Sequence, residues 1–271
     1  MIKPYGYAPC ISIKTDDIFK GNILIVVIVA SEQENRFLEK RISVKNRSIQ
    51  GGTLFLEGLI SGKKIIAVKS GIGPKKAKSA AKQILKRCLP SVVISIGAAG
   101  ALDPKLTLGD CVVAGQVLRI SKNLQKKEKK FNCDEAFSQK ALDCITTGSS
   151  LVAKGNCLST RAFIHLKELK ERLFSTYNAR VIDMESSALA EVFCSEKIPF
   201  IDIRVISDTA NRDIIDMNIL HRIKKNSGIA GMIIYFIKNP KEVISAWRFR
   251  IALNRVSINI SKIAETLVRE L

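Results

Sequence analysis

Hydrophobic positions along this chain follow two rhythms in turn, short β-branched runs and longer stretches at helical spacing, which predicts a layered α/β fold. Residues 23–29 are a continuous apolar run, as in a strand buried on both faces, and residues 32–41 follow with helical spacing at Phe37 and Leu38. Residues 54–60 and 64–68 read as a hairpin around Ser61-Gly62. Ser70-Gly71-Ile72-Gly73-Pro74 then opens a helix to about residue 87, with the proline in its first turn. Residues 92–96 form the next buried strand and end in a second glycine-rich turn, Gly97-Ala98-Ala99-Gly100. Beyond it come a strand at 111–118, a lysine-rich solvated loop at 121–130, a helix at 134–147 and a strand at 151–157. A helix at 160–174, a short strand at 180–182, a helix at 185–196 and a strand at 200–206 complete the core.

After Asn211 the pattern changes. Residues 218–238 make one helical segment, Asn239-Pro240 breaks it, and 241–271 give one or two more helices. Across 221–271 ten Lys and Arg stand against three Glu, an excess of seven, interleaved with Ile229, Met232, Tyr235, Phe236, Trp247 and Phe249. The tail is therefore basic and amphipathic. At the other end Lys3, Pro4 and Gly6 followed by Lys14-Thr15-Asp16-Asp17 do not form a signal peptide. Residues 22–30 are apolar but far shorter than the roughly 18 to 20 residues a membrane-spanning helix needs. The sequence thus predicts a protein that does not cross a bilayer.

Composition narrows the classes. With 271 residues, 46% of them hydrophobic, the chain can bury one large core as a single α/β domain with extensions. Its 44 Lys and Arg against 25 Asp and Glu leave a formal net charge of +19, a surface drawn to nucleic acid, acidic lipid or phosphate. The seven cysteines form no Cys-x-x-Cys pair and sit mostly among apolar neighbours, which fits a reduced cytoplasmic setting. Only His165 and His221 are present, neither with ligand spacing, so no metal is expected.

The candidate chemistry lies between Val181 and Asn211. Asp183-Met184-Glu185 sits at the mouth of a predicted helix, and Ser207-Asp208 sits just past a predicted strand. A carboxylate at a helix mouth can grip two neighbouring hydroxyls, and one past a strand end can protonate a group in the crevice where open α/β sheets bind ligands. Together they suit a ribose and its base. Arg204 alternates with Ile203 and Val205 on a buried strand and needs a partner there. The Ser70-Gly71-Ile72-Gly73 turn can present backbone N–H groups at a helix N-terminus, a place for phosphate or for a polarised water. At Gly97 to Gly100 the backbone can approach a ligand closely.

Gly97-Ala-Ala-Gly-Ala-Leu-Asp-Pro-Lys-Leu-Thr-Leu-Gly109-Asp110, the Lys69-Ser-Gly-Ile-Gly-Pro turn, Asp183-Met-Glu-Ser and Arg204-Val-Ile-Ser-Asp208 together resemble the nucleoside phosphorylase and nucleosidase superfamily, over about residues 23–211. Two branches compete, the methylthioadenosine/adenosylhomocysteine nucleosidases and the hopanoid-associated phosphorylases. Gly-x-x-Gly-x-Leu-Asp-Pro at 97–104, Ser-Asp-x-Ala-x-Arg at 207–212 and the helical tail with Pro240 favour the second. The implied fold is the three-layer phosphorylase/hydrolase-like α/β architecture, a central mixed β-sheet flanked by helices. The implied organisation is an extension at 1–20, a catalytic domain at 21–217 and the basic helical tail at 218–271.

The resemblance implies cleavage of a purine N-glycosidic bond, in which the sugar gains oxocarbenium character while the base leaves with growing negative charge. It assigns Asp208 to protonation of purine N7 and Glu34 to activation of water. Glu185 would accept the 2′ and 3′ hydroxyls, with Met184 beneath the sugar, Phe163 stacked on the purine, and Ser207, Gly97 and Ala98 as further substrate-binding positions. Ser70, Gly71, Gly73 and Arg36 are the candidates for a phosphate or water site, and Asp183 and Arg204 for its support. Where this chain has Ala98 the nucleosidases usually carry a hydroxyl residue. An arginine that phosphorylases place on phosphate is missing from residues 93–95, which tilts the expectation to hydrolysis, yet inorganic phosphate stays open as co-substrate.

The hopanoid likeness implies adenosylhopane as substrate, with the tail resting on an anionic leaflet at the inner face of the membrane. The alternatives are a methylthioadenosine/S-adenosylhomocysteine nucleosidase and, from another class, a basic non-catalytic nucleic-acid-binding module. No cofactor and no specific nucleic acid partner are expected, and a homodimer or higher homo-oligomer is.

Overall fold

The computed structural model describes residues 23–121, 123–145, 150–214, 223, 226, 235 and 237–271. The extension expected at 1–20 and most of the helix expected at 218–238 lie outside the described residues. In chain order the strands are β1 (Ile25–Val29), β2 (Ser43–Gln50), β3 (Thr53–Ile60), β4 (Lys63–Lys69), β5 (Val92–Ala101), β6 (Cys111–Ile120), β7 (Lys127–Asn132), β8 (Val152–Ser159), β9 (Val181–Asp183) and β10 (Phe200–Asp208). The helices are α1 (Glu32–Glu39), α2 (Pro74–Arg87), α3 (Glu135–Cys144), α4 (Lys167–Tyr177), α5 (Ser186–Ser195) and α6 (Pro240–Glu270).

The ten strands form one mixed sheet that closes on itself at one end. β10 lies parallel to β5 and antiparallel to β6, β6 parallel to β8, β8 parallel to β9, and β9 antiparallel to β5. These five strands make a ring whose interior side chains pack as a core. From β5 an open wing continues through β1, β4, β3 and β2, and β7 adds to the free side of β6.

Helices cover both faces, which is why β1, Ile-Val-Val-Ile-Val, is buried at every position. On one face Leu38 of α1, Phe137 and Ala141 of α3 and Val256 to Leu271 pack against Val27, Leu56 and Ile203. On the other, Ala77, Ala80, Ala81 and Ile84 of α2 and Ala188 to Phe193 of α5 pack against Val26, Val93 and Val112. The alanine stripe of α2 lets its axis lie close to the sheet. Lys86 and Arg87 in its last turn complement the helix dipole. The three-layer α/β architecture with a central mixed sheet is therefore present.

Four elements differ from the sequence reading. Gly97 to Gly100 is no turn: β5 runs through to Ala101, paired with β10 on one side and β9 on the other. The loop expected at 121–130 gives way at residue 127 to β7, and β2 is a further strand in a stretch with no expected element. The helix expected at 160–174 begins only at Lys167, after extended residues around Leu166. The expectation of one or two helices over 241–271 is met by a single helix at residues 240–270, whose C-terminal half belongs to the core.

Candidate active site

The site is assembled around Arg204, which the β10 strand carries into the interior opposite Gly97 of β5. A fully buried guanidinium demands compensation. Nη2 donates to Asp202 Oδ1 at 2.5 Å and Ser95 Oγ at 2.7 Å, and lies 3.1 Å from Asp183 Oδ2. Two carboxylates against one cation leave the cluster acidic. Burial pushes the Asp202 carboxyl up to about 6 despite Arg204, with Asp183 adding to the rise. Asp183 also accepts from the Glu185 and Ser186 backbone N–H groups and from Ser186 Oγ, so it orders the first turn of α5 as well as Arg204.

Glu34 reaches this cluster from α1. It is the third residue of a capping box: Ser31 Oγ accepts from Glu34 N, while Glu34 Oε2 accepts from Ser31 N at 2.7 Å, Ser31 Oγ and Ala30 N. That leaves Oε1 aimed at β5, where it accepts from Ala98 N at 2.9 Å. The approach depends on glycine. A Cβ at Gly97 would stand 2.8 Å from Arg204 Nη1 and 3.3 Å from Glu34 Oε1.

Glu185 lies at the N-terminal cap of α5, and its Oε1 accepts from Gly73 N at 2.6 Å. The N–H that the Ser70–Gly73 turn offers at the head of α2 is thus taken by a carboxylate. Ser70 is buried, and its Oγ has one proton to share between the Val29 carbonyl at 3.3 Å and the Gly71 carbonyl at 3.1 Å. Burial pushes Glu185 up to about 7, reinforced by the negative charges of Asp183 and Glu34 and opposed by Gly73 N and Arg204. Its second oxygen accepts no hydrogen bond among the described residues.

Asp208 ends β10, buried at 5% exposure. Its Oδ1 faces Ser207 Oγ at 3.0 Å, and Ser207 Oγ also lies 3.2 Å from the Ala99 carbonyl. A Cβ at Gly100 would come 3.0 Å from Asp208 Oδ2 and 3.3 Å from Ile182, so glycine again admits the carboxylate between β5 and β9. The unforeseen neighbour is Lys170 of α4, fully buried, whose Nζ lies 2.5 Å from Asp208 Oδ2 and donates to the Thr209 carbonyl at 2.9 Å.

Of the residues expected from sequence, Glu34, Gly97, Ala98, Asp183, Glu185, Arg204 and Gly73 are brought together by direct contacts, and Asp208, Ser207 and Gly100 adjoin them through β5. Met184 and Phe163 are half-buried, the latter in the irregular stretch before α4. Arg36 departs from expectation: it is exposed on α1 with its guanidinium 5.5 Å over the Phe37 ring, because α1 turns only Glu34, Asn35 and Leu38 inward. Sequence reading missed Asp202, Ser95 and Lys170. Asp202 had a signal, since i and i+2 on a strand share a face and Arg204 required a partner there.

Cavities of about 460 and 560 Å³ open on either side of the Gly71–Gly73 turn. The first is lined by Gly73, Ser159, Thr160 and Ser187 with Arg119, Arg161 and lysines of α2, and the second by Ser31, Thr53, Lys69 and Ser70.

Residues 24–232 match the model of the phosphorylase superfamily. The chain is 27% identical over 199 residues to a 5′-methylthioadenosine/S-adenosylhomocysteine nucleosidase of Staphylococcus epidermidis, covering 69% of this chain and 87% of that one. It is 28% identical over 204 residues to one from Bacillus cereus, covering 70% and 87%. Among solved structures, the Helicobacter pylori enzyme of the same name superposes with TM-score 0.74 at 21% identity, over 93% of this chain and 100% of that one. The futalosine hydrolase of Helicobacter pylori superposes with TM-score 0.73 at 21% identity, over 92% and 99%. With the family model spanning most of the sequence, this chain belongs to the phosphorylase superfamily.

Proposed function

We propose that this chain is a nucleosidase that hydrolyses the N-glycosidic bond of an adenine nucleoside, of the methylthioadenosine/S-adenosylhomocysteine type. Water attacks the anomeric carbon with Glu34 as base, the pair of the C–N bond passes to the purine, and Asp208 places a proton on N7. Glu185 receives the ribose hydroxyls on the oxygen that Gly73 leaves free.

The observation that carries hydrolysis over phosphorolysis is charge. Asp183 and Asp202 contact Arg204, and the charges of Glu34 and Asp183 act on Glu185. Asp183, Asp202 and Glu34, with Glu185 only partly ionised near neutral pH, outweigh one guanidinium and so repel a phosphate dianion but accept a neutral water. Arg36, the cation that would have offset them, is exposed on α1.

A second reading, removal of adenine from an adenosyl-lipid such as adenosylhopane, is favoured by one feature. The first half of α6 exposes Val243, Ile244 and Trp247 beside Arg248 and Arg250, a face suited to an anionic leaflet. The relatives above are nucleosidases and a futalosine hydrolase, so the lipid reading rests on the motifs and this face.

Purified protein given methylthioadenosine, with and without phosphate, tests the first reading. Adenine with a free ribose product is expected at a rate that phosphate leaves unchanged, and Asp208→Asn and Glu34→Gln should each lower kcat about 100-fold or more. Product appearing only as the ribose 1-phosphate would refute hydrolysis. Flotation with anionic liposomes, compared with Trp247→Ala, tests the second.

A further inference from the structure

Among the described residues Lys170 is the one buried lysine. The helix that carries it, Lys-Glu-Leu-Lys-Glu-Arg-Leu-Phe-Ser-Thr-Tyr, is polar over most of its surface, and only Lys170 and Leu173 are buried. A lysine on such a helix ordinarily runs its stem along apolar surface and keeps its ammonium in water. Lys170 instead has 0% exposure. Withdrawing an ammonium from water costs several kcal/mol before pairing, and an apolar side chain of similar length would fill the space without that penalty. The placement calls for a use, and the partner is Asp208, at 2.5 Å. Among the described residues Asp208 is the charged group in contact with Lys170; its other contact is the neutral Thr209 carbonyl. The remaining polar neighbour of Asp208 is Ser207 Oγ, which has one proton to share between Asp208 Oδ1 and the Ala99 carbonyl.

The role follows from a conflict, and it rests on the assignment of Asp208 as the acid in the preceding subsection. To donate to a purine Asp208 must carry a proton, whereas beside an ammonium it stands in an ion pair. We infer that Lys170 is the proton source behind Asp208, a positioning residue that acts through that carboxyl group. As the glycosidic bond breaks, its electron pair goes to the purine. The Lys170 ammonium gives one proton to Asp208, and the carboxylic acid so formed gives a proton to N7. Asp208 returns to carboxylate and Lys170 is left as an amine. The proton that Glu34 takes from water, released to solvent, balances the one that later restores the ammonium. A nearby cation would then serve twice, holding the carboxylate still and recharging it.

The test compares two substrates that differ in what the leaving group needs. Methylthioadenosine requires a proton on the departing base, whereas 4-nitrophenyl riboside leaves as a stable phenolate without one. Lys170→Met should lower kcat for methylthioadenosine about 100-fold with KM within about 2-fold, and leave turnover of the nitrophenyl riboside within about 3-fold. Lys170→Arg, which keeps the positive charge but does not give up its proton, should show the same split. Full purine activity in Lys170→Arg, or equal loss on both substrates in a variant whose thermal melt matches the parent, would overturn the inference and leave only a structural ion pair. Asp208→Asn is run beside them to separate the two levels. If it keeps methylthioadenosine activity, the assignment of the acid has failed; if it loses activity while Lys170→Met keeps it, only the role of Lys170 has.

Discussion

At the scale of single residues the site is governed by crowded carboxylates, and Glu185 reports on that crowding. Burial and the charges of Asp183 and Glu34 raise it from an ordinary value of 4.5 to about 7. Accepting two hydroxyl hydrogens requires the ionised form, so KM for a nucleoside should fall as pH rises through about 7 and level off above it. The same shift acts on stability with the opposite sense. A folded-state value above the unfolded one means that the native protein holds the proton more tightly. The contribution is complete below about 4.5 and is lost as pH climbs towards 7. Asp202, raised from 3.8 to about 6, acts in the same direction. In Glu185→Gln, which keeps an acceptor for Gly73 N but cannot ionise, that loss is absent. The melting temperature of the variant relative to the parent should therefore rise between pH 4.5 and 7 and then stay constant; parallel melting curves across this range would contradict the shift. Asp183, Glu185, Arg204 and Asp208 were legible in sequence because their motifs are contiguous. Lys170 was not, because a lysine three residues before a buried leucine on a polar helix has the pattern of a solvated stem, and only the tertiary approach of α4 to the end of β10 reveals its partner.

Among elements, legibility tracked burial contrast. β1 announced itself because all five of its residues are inside, and α2 because Gly73, Pro74 and an alanine stripe bound it clearly. β2, Ser-Val-Lys-Asn-Arg-Ser-Ile-Gln, and β7, Lys-Glu-Lys-Lys-Phe-Asn, carry no alternating apolar signal since both are peripheral strands exposed along their length. β5 misled for the converse reason. Its glycines suggest a turn, but each replaces a side chain that would strike Arg204 or Asp208 arriving from the neighbouring strand. α1 shows how a local device serves the site: the capping box that starts the helix also fixes the catalytic candidate Glu34. Ser31→Ala removes one acceptor for Glu34 N and one donor to Glu34 Oε2. A loss of about 1 kcal/mol in stability is expected in chemical denaturation, with a fall in kcat larger than any change in KM. Loss of stability with unchanged kcat would mean that Ala98 N and the Ser31 backbone suffice to aim the carboxylate.

On the scale of the whole molecule, the sequence suggested a basic amphipathic tail packed on or beside the catalytic domain, and the described part of that tail divides in two. Residues 240–251 are largely exposed or half-buried, whereas Val256, Ile260, Ile263, Leu267, Val268 and Leu271 are inside the same apolar cluster as β1 and β10. The reason escaped a pattern reading because basic residues and apolar residues alternate along one long helix, so its average character hides the change from surface to core. At about 1.5 to 3 kcal/mol for each large apolar side chain buried, these six contribute on the order of 10 kcal/mol, comparable with the entire stability of a typical domain. A chain ended after residue 251 should therefore not give a cooperative melt, and should not release adenine from methylthioadenosine. Removal of the tail after about residue 218 would take away the same six side chains, so it cannot serve to test contact with a lipid surface. Substitution within 243–250 can, because that half of α6 adds little to the core. Should the protein ended at residue 251 melt cooperatively and remain active, the helix would be an appendage after all, and the closed ring of strands would have to be stable with one of its faces uncovered.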